Sequence, residues 1–195
     1  MPFPLCITLG RYNDQLAKQD VNGCSLCPTG TYNGLTGRTL LSDCTDCPTG
    51  KYNDESGRQS CKVCPNGQYN DQLKLTDVNN CKDCPLGRKG SGTNKVAVTD
   101  CTPCSLGTYT GETGLTACTD CPRGRYNDEN VLNANTCKEC GSGKYTAGTT
   151  TTIPSNCLDC GLGKHNPVAA ASGVCQDCPI GYFTSVAAQA ECKLV

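Results

Sequence analysis

The chain has 195 residues, among them 20 Cys, 22 Gly and 11 Pro, with no Trp, one Met, two Phe and eight Tyr. Its 17 basic and 18 acidic residues leave a formal net charge of −1 and are interspersed, with no basic stripe to follow a phosphate backbone, so nucleic acid is not an expected partner. Too few large apolar side chains are present to fill a conventional core, and no apolar run approaches the ~20 residues of a membrane helix; cysteine at this density marks a disulfide scaffold made in an oxidising, extracellular compartment.

The chain opens on an apolar segment at residues 1–5, Met1-Pro2-Phe3-Pro4-Leu5, which lacks the pattern of a secretory leader. A disulfide-rich chain without a leader is read as a mature or excised segment of a secreted precursor. From residue 6 to residue 192 the cysteines set the organisation. They stand at Cys6, Cys24, Cys27, Cys44, Cys47, Cys61, Cys64, Cys81, Cys84, Cys101, Cys104, Cys118, Cys121, Cys137, Cys140, Cys157, Cys160, Cys175, Cys178 and Cys192, which makes nine Cys-x-x-Cys pairs with one lone cysteine at each end. Joining neighbours across the longer gaps (6–24, 27–44 and so on to 178–192) uses every cysteine and gives ten loops; spacing alone does not prove this connectivity. Each such staple would contribute roughly 3 kcal/mol in the loop-entropy picture. At the array's ends, Phe3 and Val195 stand where a further cysteine would continue the ladder, and residues 193–195 form a short tail.

Within the modules the chemistry repeats. Gly follows the opening Cys by three residues at positions 30, 50, 67, 87, 107, 124, 143, 163 and 181, and by four at Gly10, a pattern that points to a backbone needing positive φ or a close approach. Pro follows the opening Cys in six modules. Two residues after the Gly come Tyr12, Tyr32, Tyr52, Tyr69, Tyr109, Tyr126, Tyr145 or Phe183, often followed by Asn-Asp or Asn-Gly, a turn signal. The expected module is a strand, a tight turn and a return strand closed by one disulfide, with the Tyr ring on the neighbouring disulfide. The fold class expected is thus a small disulfide-rich repeat array, an elongated rod of ten β-hairpin-like modules without a helical core. Loop spans cycle long-long-short, and Tyr12-Asn13-Asp14-Gln15-Leu16 returns as Tyr69-Asn70-Asp71-Gln72-Leu73. This predicts three-module units at 6–61, 64–118 and 121–175, followed by a capping module at 178–192.

The string Cys-x-x-Cys-Pro-x-Gly-x-Tyr, as at Cys24 to Tyr32, Cys44 to Tyr52 and Cys61 to Tyr69, resembles the ephrin-receptor-like cysteine-rich repeat. It is also similar to the first sub-module of tumour-necrosis-factor-receptor repeats, but lacks the interleaved disulfides that follow there, so cytokine binding is not implied. The resemblance implies an extracellular array with disulfide rungs and no catalytic residues.

Competing chemistries fit less well. Cys-x2-Cys-x16-Cys-x2-Cys matches a zinc ribbon, yet nine pairs do not divide into four-cysteine sites and would strand Cys6 and Cys192. A redox Cys-x-x-Cys would need a βαβ frame that these short modules cannot build. His165, the one histidine, occupies a Tyr position and reads as a packing residue. The Asn-Asp turns offer too few carboxylates for calcium. No triad, paired acids or phosphate loop is present, so no enzyme, metal or cofactor is expected. Asn22, Asn79 and Asn135 form Asn-x-Cys sequences that read as relics of duplication, and Thr149, Thr150, Thr151 and Thr152 form a candidate O-glycan cluster. The functional expectation is a secreted or cell-surface structural protein, a protomer of a filament, coat or appendage. Its copies would meet head to tail through Phe3, Leu5, Leu194 and Val195, and glycans or other extracellular proteins are further possible partners. The alternative is a ligand-binding or adhesion segment of a receptor-like ectodomain.

Overall fold

The computed structural model describes residues 6–14, 23–129, 137–169 and 174–195. Phe3, Leu5, Asn22 and Asn135 lie outside these residues. Two compact units divide the chain, one of Met1–Cys84 with Gly90–Cys101 and the other of Pro85–Lys89 with Thr102–Val195. Among the described residues there are ten two-stranded antiparallel sheets and no α-helix.

Ten disulfides close ten loops, Cys6–Cys24, Cys27–Cys44, Cys47–Cys61, Cys64–Cys81, Cys84–Cys101, Cys104–Cys118, Cys121–Cys137, Cys140–Cys157, Cys160–Cys175 and Cys178–Cys192, with no free cysteine. They are numbered here as modules 1 to 10. The outgoing strand of each hairpin is the residue after the module's Gly together with the following position, as in Thr31–Tyr32. The return strand is the pair of residues inside the next Cys-x-x-Cys, as in Thr45–Asp46, so that Thr31 faces Asp46 and Tyr32 faces Thr45. The following cysteine then donates its N–H to the module's Gly carbonyl, as Cys47 does to Gly30 at 2.9 Å. Val195 occupies that place in module 10 and donates to Gly181 at 3.0 Å.

Loop length has a local cause. Four loops of 17 residues, in modules 2, 4, 5 and 8, each carry a three-residue 3-10 turn before the closing cysteine: Leu41–Asp43, Val78–Asn80, Val98–Asp100 and Pro154–Asn156. The 14-residue loops of modules 3, 6 and 10 carry none. Three of the turns are held by a carboxylate, and in the Val78–Asn80 turn Asp77 accepts from the Asn79 amide at 2.9 Å. Asp43 accepts from the Thr39 and Leu40 amides, and Asp100 from those of Val96 and Ala97.

The interior differs from the expected row of aromatic miniature cores. Buried apolar residues among those described are cysteines and Leu75. Tyr52 does pack on the Cys64–Cys81 disulfide and Leu75, so the ring of one module lies on the staple of the next, but it is only partly buried. Besides the cysteines, a set of buried polar side chains stands three residues after the Gly in eight modules: Asn33, Asn53, Asn70, Asn127 and Asn166, replaced by Thr110, Thr146 and Thr184. The turn reading of these asparagines holds for one half of the amide, since the Asn53 Oδ1 accepts from the Glu55 amide, as Asn33, Asn70 and Asn127 accept from the residue two further on. The other half ties modules together. The Nδ2 of Asn53 donates to the Thr31 carbonyl of the preceding module, and Asn33, Asn70, Asn127 and Asn166 reach Arg11, Lys51, Thr108 and Lys144 in the same way. The preceding module's Gly answers, donating its N–H to the Asn carbonyl (Gly30 to Asn53, 2.7 Å) or to the Thr hydroxyl (Gly124 to Thr146, 2.7 Å).

A second layer reaches one module further. Gly37, Gly57, Lys74, Asn94, Thr150 and Ala188 all have positive φ. Most of them donate to the opening cysteine's carbonyl one module back, as Gly57 does to Cys27 and Ala188 to Cys160. Ala188 also sits against Gly143, two modules back: a Cβ on Gly143 would lie 2.1 Å from the Ala188 oxygen.

Two predictions follow from this packing. Gly143 and Gly163 have φ of 75° and 71°, so Ala at either carries the ~1–2 kcal/mol cost of left-handed backbone. Among the described residues, nothing stands within 4 Å of a new Cβ on Gly163. Gly143→Ala is therefore expected to cost about 1–3 kcal/mol more than Gly163→Ala, and to expose the Ala188 amide to hydrogen exchange. Asn53→Ala leaves the Thr31 carbonyl and Glu55 amide without their buried partner and is expected to cost about 1–3 kcal/mol. Asn53→Thr, the replacement the array itself makes at Thr110, should cost less in the same denaturation experiment.

Candidate functional surface

The hairpin strands carry a regular set of charges. Across the strands, Lys144 pairs with Asp159, Lys164 with Asp177 and Arg125 with Glu139. A second set joins the first residue inside Cys-x-x-Cys to the acid after the buried Asn: Lys62 to Asp54 at 2.7 Å, Lys82 to Asp71 at 2.8 Å and Lys138 to Asp128 at 2.7 Å. Lys82 also lies 5.9 Å from the centre of the Tyr69 ring. Asp54, Asp71 and Asp128 of the Asn-Asp turns are thereby engaged by lysines of their own hairpins. The Lys82 ammonium, hydrogen-bonded to Asp71, holds that carboxyl below its ordinary 3.8, and Lys62 and Lys138 do the same for Asp54 and Asp128. A carboxylate lowered on folding stabilises the fold above its unfolded pKa, and the contribution disappears as pH falls through the lowered value. These pairs therefore persist through mildly acidic conditions. Exposed pairs of this kind contribute little to stability.

Module 10 departs from this charged pattern. The residue after the Gly is polar in the other nine modules, but here it is Tyr182, 46% exposed, directly opposite Leu194, 68% exposed. Ile180, Phe183 and Val195 are exposed beside them. In the other modules the Tyr at the place of Phe183 is half-buried. Leu194 and Val195, singled out from sequence as assembly contacts, thus form part of an exposed apolar hairpin with Tyr182, Phe183 and Ile180. Those three were not singled out, although an aromatic at a place otherwise kept for Lys, Arg, Thr or Gln is a readable signal.

Of the threonine run, Thr149 and Thr150 are exposed, Thr152 is half-buried and Thr151 is buried, its carbonyl accepting from Asn127 at 2.9 Å. The exposed hydroxyls of the run are those of Thr149 and Thr150.

Hairpin, staple and Gly turn define a disulfide-rich array of small repeated modules. Residues 34–81 and 90–131 match the family described as tyrosine-protein kinase ephrin type A/B receptor-like. The two matched stretches are similar to ephrin-receptor-like cysteine-rich repeats, a kind of module that is typically non-enzymatic, and the same stapled hairpin recurs through all ten modules. Comparison with curated proteins yields no match. Ten disulfides and ectodomain-type repeats are features of an extracellular segment, and no helix among the described residues is long and apolar enough to cross a membrane.

Lys82→Met is expected to return the Asp71 titration midpoint upward to the ordinary carboxylate range, followed by carboxyl NMR. Asp54, bonded to Lys62, should be unmoved.

Proposed function

We propose that the chain is a binding or adhesion segment of a receptor-like ectodomain, displayed at a cell surface or secreted, in which the stapled modules hold an apolar contact hairpin out to a protein partner. The observation that carries this reading is the hairpin of module 10, where Tyr182 replaces the polar residue of every other module and faces the exposed Leu194. A solvent-exposed aromatic-aliphatic group on a rigid two-stranded frame is the composition of an interface centre. The match of residues 34–81 and 90–131 to ephrin-receptor-like repeats supports an ectodomain setting. Thr149 and Thr150 are the hydroxyls of the threonine run open to O-glycans.

A filament or coat protomer is the second reading, and the same exposed Leu194 and Val195 are what favours it. The two readings part on self-association. Light scattering of the purified chain over a wide concentration range is expected to show a constant monomer mass. Fluorescently labelled chain is expected to bind intact cells and to lose that binding with Tyr182→Lys. Growth of mass with concentration that Tyr182→Lys suppresses would establish the filament reading instead.

A further inference from the structure

In nine of the ten disulfides at least one cysteine is buried; in Cys178–Cys192 neither is. Disulfide exchange requires in-line approach of a thiolate to a sulfur, so among bonds of similar chemistry the accessible one reacts first. This bond also has an unusual neighbour. The place where Tyr52 packs on the Cys64–Cys81 staple is taken in module 9 by His165, and an imidazole nitrogen of His165 lies with both sulfurs of module 10 inside a set no more than 4.8 Å across. The His165 Nδ1 is enclosed and has no hydrogen-bond partner among the described residues. An enclosed ring nitrogen without a partner is an unmet cost in the oxidised protein, and a Tyr or Phe, as in eight of the other modules, would avoid it.

From these observations we infer that Cys178–Cys192 is the reducible bond of the array, and that opening it creates a three-ligand site for a thiophilic divalent cation of the zinc class, made of Cys178, Cys192 and His165. The step needs a dithiol reductant. It gives two electrons and two protons to the disulfide and departs as its own cyclic disulfide; the sulfur–sulfur bond breaks and two thiols form. The cation then displaces both thiol protons to solvent and forms two metal–sulfur bonds and one bond to the imidazole nitrogen, which needs no proton removed when the ring is neutral. Two thiolates, one imidazole and a fourth place left for water are a donor set that zinc accepts. The oxidised bond offers no thiolate, so cation binding is tied to the redox state of one staple while the other nine hold the fold.

The test uses the full oxidised chain. One molar equivalent of dithiothreitol, followed by alkylation and peptide mapping, is expected to place the label on Cys178 and Cys192. Comparable labelling of several other pairs would overturn the proposal. In a parallel sample freed of reductant, cobalt(II) serves as the probe. One equivalent per chain is expected to give visible ligand-field bands and a sulfur-to-cobalt charge-transfer band, both absent from the oxidised chain. His165→Phe introduces the residue that the array already carries at Phe183, so the module keeps its packing. It is expected to lose the three-ligand spectrum and to weaken cobalt binding at least tenfold. An unchanged spectrum and affinity in His165→Phe, or no cobalt binding by the selectively reduced chain, would overturn the site.

Discussion

The two residues enclosed by each Cys-x-x-Cys serve two modules at once, and the geometry of the array depends on that double use. They form the return strand of one hairpin, and the cysteine after them opens the next loop while its amide bonds the previous Gly carbonyl, as Cys47 does with Gly30. A strand of two residues makes too few contacts to stand alone in water. Here each is clamped at both ends by disulfides belonging to successive modules, so neither hairpin can fray without disturbing its neighbour. Within each unit the position of one module thereby dictates where the next begins.

Onto that covalent frame the array adds an unusual interior. Where a larger domain would bury leucine and valine, these modules bury cystine sulfur, asparagine amide and threonine hydroxyl. A buried amide is costly unless each of its groups finds a partner. Asn53 meets that condition with both ends, Nδ2 on Thr31 and Oδ1 on the Glu55 amide. The same side chain therefore shapes its own turn and locks onto the module before it. Hydrogen bonds are directional where apolar contact is not, so this interior specifies register as well as contributing stability.

The module count, the hairpin and the staple were legible because cysteine and glycine leave few alternatives. A Gly three residues past Cys in module after module announces a backbone need, and the structure gives these residues positive φ. The burial of the asparagines was less legible. Asn followed by Asp or Gly carries a strong turn signal, and that signal is correct as far as it goes; it conceals the second amide bond because the partner lies in another module. The substitution of Thr at positions 110, 146 and 184 was the available clue, since a threonine there bonds the preceding Gly amide rather than forming the Asx turn. Lys74, Thr150 and Ala188 at positive φ were not legible at all, because nothing in those side chains announces left-handed backbone. The contact hairpin of module 10 lay between these extremes: Leu194 and Val195 drew attention as terminal apolar residues, whereas Tyr182 did not.

The arrangement of staples also determines what happens when the backbone is cut. A protease that cleaves within any loop, for instance between Cys47 and Cys61, opens a covalent ring and leaves both fragments joined through that loop's sulfurs. Separation requires scission inside a Cys-x-x-Cys, where the two intervening residues are already held in a hairpin ladder. Loops can thus be nicked one after another while the particle keeps its full mass, and the damage becomes visible only when a reductant is added. For a segment displayed among extracellular hydrolases, the topology separates the survival of the whole from the integrity of its polypeptide.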